Sequence, residues 1–319
     1  MNNTYEKEYI ATKILTVSCF CITFVLGMIG NGLVIWICGF RMKTVSAVWF
    51  LNLAIADLVF CLSLPVRIMD WLYISQNLKN GHIICGFLIL FNFFMLALNS
   101  VVSVTFLTVI NVHRCVSIMW PLWAKVHCTR RLAKIASVFL WVLPLTCVVL
   151  INFTFIHIDN SAIKKFFFLF IPELTYLLNM KNFYILTDHI SPTLSINCVL
   201  TFLIPFIIII ICNGLIIYKL STNRFKKPKA FFRTFRLIIA VVVCFFICWF
   251  PFNIWPLIAF KVNLFESVED FIICNVCLCL VSISSCINPI LYVLLGHTRG
   301  TKSRKSIKTR VENVINDFK

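Results

Sequence analysis

The sequence predicts an all-α membrane protein built as a bundle of seven transmembrane helices. Of its 319 residues, 61% are hydrophobic and only 13% are charged, whereas soluble domains carry about 25% charged residues. The apolar residues fall into blocks of more than about 18, which are long enough to cross a hydrocarbon core of ~30 Å as helices. A helix is required because lipid offers no partner to the backbone N–H and C=O groups of an open chain.

Seven apolar blocks define the expected spans and divide the chain into three parts. We expect an extracellular tail over residues 1–13, a transmembrane domain over 14–295 and a basic cytoplasmic tail over 296–319. The first block is too long for a signal peptide and runs into no small-residue cleavage site, so we expect an uncleaved span. The blocks are residues 14–40, 44–68, 82–112, 132–156, 192–218, 236–260 and 268–295.

The distribution of charge predicts the orientation of the bundle. The net charge is +17, and the cations concentrate in the segments that follow the first, third, fifth and seventh blocks. Basic loops remain cytoplasmic, so we expect a multi-pass plasma-membrane protein with its N-terminus outside and its C-terminus inside. Cations that border membrane spans favour anionic membrane lipids or an intracellular protein as partners, and not nucleic acid.

The sixteen cysteines predict neither a zinc site nor a disulfide-rich domain. All but Cys128 lie in or at the end of an apolar block, where cysteine behaves as a small hydrophobic residue. No C-x-x-C pair stands beside a histidine in a loop. The loops contain no set of nucleophile, base and acid, so we expect no enzyme and no cofactor. The sequon that begins at Asn2 predicts a glycosylation site.

Asp57 is the only acidic residue in the core of a predicted span, and intramembrane charges indicate functional sites by default. A carboxylate ringed by amides and hydroxyls predicts a site for a small hard cation such as Na⁺, or for a proton. The alternative is a hydrogen-bonded polar core that only holds the helices together. The polar residues at comparable depth are Asn31, Asn52, Asn99, Ser103, Ser284, Ser285 and Asn288.

Two prolines inside predicted spans indicate hinges. Pro251 follows Trp249 in the sixth block, and Pro289 lies between Asn288 and Tyr292 in the seventh. A proline within a helix removes one backbone hydrogen bond and clashes with the preceding turn. One half of such a helix can then swing while the other half stays packed, as a transmembrane switch requires.

These motifs resemble those of rhodopsin-like G-protein-coupled receptors, and they follow the family's order over nearly the whole chain. The matching residues are Gly30-Asn31, Leu53-Ala54-Ile55-Ala56-Asp57, Trp141, Pro205, Cys248-Trp249-Phe250-Pro251 and Asn288-Pro289-Ile290-Leu291-Tyr292. A second set resembles the chemoattractant branch, the formyl-peptide receptors first and the chemerin and anaphylatoxin receptors next. That set is Gly39-Phe40-Arg41-Met42, Trp49-Phe50-Leu51-Asn52-Leu53, Arg114-Cys115, Pro121-Leu122-Trp123-Ala124, His127 and Phe246-Ile247-Cys248-Trp249-Phe250-Pro251-Phe252.

The resemblance implies a receptor for an extracellular peptide or small chemoattractant-like ligand that signals through an inhibitory heterotrimeric G protein. The residues it implies for the G-protein-facing surface are His113, Arg114 and Cys115. Those it implies for the ligand pocket are Arg67, Ala97, Asn197 and Trp249. The alternatives are a non-signalling scavenger or vomeronasal-type chemosensory receptor and, in a different class, a transporter or channel. The chain has no internal repeat of the kind that many transporters contain.

Several switch positions depart from the family's pattern. His113 stands where the family has the acid that pairs with Arg114 and holds the inactive state, and histidine cannot supply that charge. We expect either a raised basal tendency to open or weakened signalling. Asn213 stands where the family has a tyrosine, and Arg299 where it has the phenylalanine that anchors the tail helix.

The outer side departs as well. The loop 157–191 contains no cysteine to pair with Cys85, and Cys274 is the only other outer candidate, so we expect no standard disulfide. Ala97 replaces the acid of the formyl-peptide pocket, while Thr193 and Asn197 replace its two arginines. Arg67 is the remaining cation for an anionic ligand terminus, unless it extends to the lipid headgroups.

Overall fold

A computed structural model describes residues 3–77, 82–158, 198–222, 229–262 and 268–295, together with Thr309, Val311, Glu312 and Ile315. Asn2, Thr193, Asn197, Arg299 and most of the loop 157–191 lie outside the described residues, as does the side chain of Cys85. Within the described part, the chain forms eight α-helices and two short π-helical turns, and no strand.

Each of the seven long helices overlaps one of the seven predicted blocks, and one short helix joins the third to the fourth. The first helix begins earlier than expected, so the predicted tail 1–13 is helical from Asn3 onward. The third helix also runs past residue 112. The helices are α1 (Asn3–Trp36), α2 (Val45–Asn77), α3 (His82–Met119), α4 (Pro121–His127), α5 (Arg130–Ile158), α6 (Ile204–Thr222), α7 (Lys229–Val262) and α8 (Val268–Leu295).

The helices carry the apolar length and the apolar exterior of membrane spans. Among the described residues, four helices are long and apolar enough to cross a membrane, with α6 and α7 contributing shorter apolar stretches. Large apolar side chains point outward, for example Ile29 on α1 at 69% exposure and Phe139 on α5 at 68%. Exposed apolar surface on this scale is stable only against lipid.

Small residues on α1 set how closely the helices pack. This helix packs against both α2 and α8. A Cβ atom on Gly27 would overlap the Cys61 Sγ of α2, and one on Gly30 would lie 2.8 Å from the Pro289 Cβ of α8. Glycine therefore permits the close approach that stabilises helix pairs in a membrane.

Aromatic rings join α6 to α7. A π-helical turn over Val199–Leu203 precedes α6, next to Pro205, whose missing N–H breaks the regular hydrogen-bond ladder. Phe202 and Phe206 stack on the Phe246 ring of α7 with centroids 5.5 and 4.3 Å away. Elsewhere α3 packs against α2, α5 and α6, and α7 packs against α8.

Candidate functional site in the bundle core

Asp57 joins three helices in the middle of the bundle. Its side chain is 2% exposed. Its Oδ1 accepts hydrogen bonds from Asn99 Nδ2 and Ser103 Oγ of α3, both at 3.3 Å, and its Oδ2 accepts one from Asn288 Nδ2 of α8 at 2.9 Å. The structure therefore brings together four of the residues that the sequence singled out, because their helices turn these positions inward at one depth.

A second layer of polar groups surrounds this carboxylate. Ser285 Oγ donates to Asn99 Oδ1 at 3.4 Å, and Asn31 Nδ2 of α1 donates to the Ser285 carbonyl at 2.8 Å. Ser284 turns its hydroxyl toward Trp249 instead, accepting the indole Nε1–H at 3.1 Å. A cavity beside the carboxylate is lined by Leu53, Asp57, Ser103, Leu107, Phe245, Ser284 and Asn288.

Asn52 does not belong to this cluster, although it lies at a comparable depth in the sequence. Its Nδ2 donates to Ser137 Oγ of α5 at 3.1 Å, and its Oδ1 accepts from Trp141 Nε1 at 2.9 Å. The grouping of Asn52 with the carboxylate was wrong because depth along a helix does not fix the direction in which a side chain points. Asn52 ties α2 to α5.

The oxygen atoms of Asp57 and its neighbours suit a hard cation as ligands. A carboxylate has room for about four acceptor contacts, and three hydrogen bonds leave part of that capacity for a further ligand. Ser103 and Ser284 bring hydroxyl oxygens to the same cavity. Oxygen ligands of this kind match hard ions and not the soft metals that prefer sulfur.

Two of the predicted switch residues, Trp249 and Tyr292, are buried in the bundle core. Trp249 is 1% exposed and packs its ring against Phe245 and Phe252, with centroids 5.7 and 6.0 Å away. Pro251 follows it two residues later within α7. Tyr292, one helical turn beyond Asn288 and past Pro289 in α8, is 2% exposed and meets the Phe50 ring of α2 edge-on at 5.3 Å.

One end of the bundle is closed over the span-3 arginine. Arg114 is 7% exposed, and Cys115 is buried in a cluster with Cys212 and Ile216 of α6. His113 is half-buried, its ring edge-on to Trp49 of α2 at 6.5 Å. We call this region, formed by residues 113–115 and Trp49, the Arg114 end. Neither Arg114 nor Cys115 forms an open surface here.

The structure also reveals an amide pair that the sequence did not suggest. Asn213 of α6 donates to the Asn111 Oδ1 of α3 at 3.0 Å, and Asn111 is fully buried. The available signal was a pair of asparagines in otherwise apolar blocks, which by itself does not indicate that they face each other.

In the opposite half of the bundle, two charged residues are buried. Arg67 is 8% exposed, with its guanidinium 5.6 Å from the centre of the Phe20 ring, so it is folded into the bundle and does not extend outward. Asp270, in the first turn of α8, is 6% exposed and accepts from Trp255 Nε1 at 2.7 Å. The sequence singled out Asp57 alone among the acidic residues, so the burial of Asp270 near the start of the seventh block was missed.

The structure also describes two residues that were predicted to lie on the outer side, Ala97 and Cys274. Ala97 is half-buried on α3. Cys274, considered for an outer disulfide, is a free thiol, as are all fourteen cysteines whose side chains the structure describes. Its Sγ lies 3.7 Å from Asp270 Oδ1.

Comparison with known proteins gives the family. Residues 30–292 match the profile of the 7 transmembrane receptor (rhodopsin family). The C3a anaphylatoxin chemotactic receptor of Danio rerio is 30% identical over 319 residues, which is 99% of this chain and 81% of the relative. N-formyl peptide receptor 3 of Homo sapiens is 31% identical, covering 93% of this chain and 83% of the relative. Formyl peptide receptor-related sequence 4 of Mus musculus is 32% identical, covering 95% and 92%.

These matches confirm the receptor class that the motifs predicted. Relatives of this kind are multi-pass plasma-membrane receptors and not enzymes, and the chain spans more than four fifths of each relative's length. The chain belongs to the rhodopsin family of seven-transmembrane, G-protein-coupled receptors and, within it, to the group that contains the formyl peptide and C3a receptors.

Proposed function

We propose that this receptor recognises an extracellular peptide or small chemoattractant-like ligand and signals through an inhibitory heterotrimeric G protein. Its relatives are named as receptors for N-formyl peptides and for the C3a anaphylatoxin. The basic segments that follow the first, third, fifth and seventh spans support an orientation with the Arg114 end in the cytoplasm, against anionic lipids of the inner leaflet, and the N-terminus outside the cell.

The observation that carries the proposal is the hydrogen bond from Trp249 of α7 to Ser284 of α8. Trp249 lies between the half of the bundle that a ligand enters and the cavity beside Asp57. A ligand that displaces this indole breaks the bond and changes how α7 sits on α8. Pro251, two residues further along the helix, then allows the N-terminal part of α7 to swing outward.

The swing of α7 opens the Arg114 end. Arg114 is buried in the closed arrangement, and a G-protein helix reaches it only after α7 has moved. A ligand shifts the equilibrium toward the open state. The size of this shift is the difference between the ligand's binding free energies for the open and the closed state. Arg67, buried near Phe20 in the half that the ligand enters, supplies the cation for an anionic group of the ligand.

We also propose that Na⁺ binds at Asp57 and stabilises the closed state. The oxygen ligands gathered by α2, α3 and α8 support this assignment. A bound cation neutralises the carboxylate while these helices remain together. The alternative is a polar core that holds the helices through Asn99, Ser103 and Asn288 alone.

A second candidate function is that of a non-signalling scavenger or a vomeronasal-type chemosensory receptor. The observation that favours it is His113, whose ring packs on Trp49 where the family has an acid beside the arginine. Such a receptor binds its ligand without activating an inhibitory G protein.

The decisive experiment measures cyclic AMP in cells that display the epitope-tagged chain at their surface. Formylated peptides and C3a-derived peptides are applied, with wild type compared against Arg114→Ala at matched surface density. We expect a dose-dependent fall in cyclic AMP that ADP-ribosylation of inhibitory G proteins abolishes and that Arg114→Ala lacks. Saturable binding of the same peptides without any fall would favour the second candidate.

A further inference from the structure

Two apolar residues of the basic C-terminal tail are buried in protein. Val311 is 1% exposed and Ile315 is 0% exposed, whereas Thr309 and Glu312 are half-buried. All four residues are helical. Positions 311 and 315 are four apart, so their side chains lie on one face of a helix.

This burial distinguishes the tail from a helix that rests on the lipid surface. The apolar face of a lipid-bound helix is exposed when only protein is considered, as Ile14 of α1 is at 63%. Val311 and Ile315 are covered by the protein itself. The tail is therefore packed against the bundle through these two side chains, in spite of the cations that surround them in the sequence.

The tail residues belong to a large apolar cluster of the bundle that includes Trp49 of the Arg114 end. The cluster connects the end of α1, the beginning of α2, the middle of α7 and the end of α8. Its members include Val34, Ile37, Met42, Trp49, Phe50, Ile110, Val241, Val242, Tyr292, Val311 and Ile315. Two of these, Val241 and Val242, are on the helix whose outward swing opens the receptor.

We propose that the tail is an autoinhibitory element, in which Val311 and Ile315 close the Arg114 end against the G protein. A swing of α7 pulls Val241 and Val242 away from the cluster to which the tail residues belong. A G-protein helix that reaches Arg114 enters the same end of the bundle. The tail must therefore loosen during activation, and its contacts bias the equilibrium toward the closed state.

The signalling consequence rests on the proposed coupling to a G protein, but the packing of the tail does not. The first measurement is therefore hydrogen exchange by mass spectrometry on the purified full-length chain in lipid nanodiscs. The amides around residues 309–315 are expected to be protected in wild type and in Glu312→Gln, and exposed in the double variant Val311→Ser with Ile315→Ser. An unprotected tail in wild type overturns the inference, whatever the receptor does in cells.

The second measurement tests inhibition without a G protein. Cys115 is buried at the Arg114 end, so its rate of alkylation by a soluble maleimide reports opening of that end. We expect the double variant to be alkylated several-fold faster than wild type, with Glu312→Gln unchanged. Release of the tail without faster alkylation of Cys115 overturns the autoinhibitory role.

The third measurement uses nucleotide exchange on a purified inhibitory G protein. We expect several-fold higher basal exchange with the double variant and the wild-type rate with Glu312→Gln. Faster alkylation of Cys115 together with no exchange by any form, with or without peptide, counts against the proposed function and leaves the tail's role intact. A third outcome is faster alkylation of Cys115 and unchanged basal exchange in a receptor that responds to peptide. In that case the tail does not block access of the G protein, and the inference is overturned.

Discussion

Asn213 on α6 donates a hydrogen bond from its Nδ2 to the Oδ1 of Asn111 on α3 at a distance of 3.0 Å. Asn213 also donates to the Ile209 carbonyl of its own helix at 2.8 Å, and Asn111 donates to the Leu107 carbonyl at 2.8 Å. Both amides are thus oriented by their own helices before they meet. The pair ties α3 to α6 close to Arg114, at a position where tyrosine is the residue expected from the family's pattern.

We expect this amide pair to contribute coupling between the two helices. Asn111→Ala and Asn213→Ala should each lower the unfolding midpoint in detergent, and the double variant should lower it by less than their sum. Interhelical polar contacts of this kind average about 0.6 kcal/mol in double-mutant cycles. Asn253 is the control, since its amide donates to the Trp249 carbonyl within its own helix.

In the control cycle, which combines Asn253→Ala with Asn111→Ala, the changes in the unfolding midpoint should be additive. If Asn111→Ala and Asn213→Ala are equally additive, the two amides contribute only to their own helices and the contact does not couple α3 to α6.

The residue before Arg114 should set the basal activity. His113→Asp introduces an acid that can pair with Arg114 and stabilise the closed state, by about 1 kcal/mol if the pair is partly exposed. That free energy corresponds to about a fivefold fall in the open population. Basal and peptide-evoked nucleotide exchange are measured at equal receptor density, with the neutral variant His113→Asn as the control.

We expect His113→Asn to keep the wild-type basal rate, because it adds no charge. Identical basal and evoked exchange in wild type and His113→Asp would show that the missing acid has no bearing on the equilibrium. A fall in both aspartate and asparagine variants would assign the effect to the contact of His113 with Trp49 instead.

The sequence predicted the helices well because the bilayer imposes them. A long apolar block has no alternative to a helix in lipid, so the seven long helices followed from the hydropathy pattern. The convergence of Asp57, Asn99, Ser103 and Asn288 was also predictable, since intramembrane polar groups pair with one another.

The remaining features depend on rotations and packing that composition does not encode. Asn52 lies at a similar depth to Asp57, but its helix turns it toward Trp141. Asp270 lies at the border of an apolar block, so its burial depends on the residue at which α8 begins. Val311 and Ile315 are two apolar residues in a strongly basic tail, too few to raise its hydropathy but correctly spaced for one helical face.

Gly27 should be far less tolerant of substitution than Gly32 on the same helix. A Cβ at Gly27 would overlap the Cys61 Sγ, whereas one at Gly32 meets nothing within 4 Å. Overpacking of this kind costs about 1–3 kcal/mol, while alanine at an open helical position is neutral or stabilising. We expect Gly27→Ala to lower the unfolding midpoint and the surface density, with Gly32→Ala close to wild type.

The clash also predicts which second substitution should relieve it. Cys61→Ala removes the overlapping sulfur and should restore the midpoint of Gly27→Ala toward that of Cys61→Ala alone. Equal midpoints for Gly27→Ala and Gly32→Ala would show that α1 and α2 do not approach as closely as the structure has them.

The carboxylate of Asp57 should make the receptor's stability depend on Na⁺. A ligand that binds only the folded state stabilises it by about 1.4 kcal/mol at ten times its dissociation constant. The unfolding midpoint of wild type should therefore rise when Na⁺ replaces choline at constant ionic strength, and that of Asp57→Asn should not. Asp270→Asn is the matched control, because Asp270 is buried but lies outside the Asp57 cluster, so this variant should keep the wild-type response. Equal midpoints of wild type in Na⁺ and choline would leave the cluster as a polar core that holds α2, α3 and α8 by its hydrogen bonds alone.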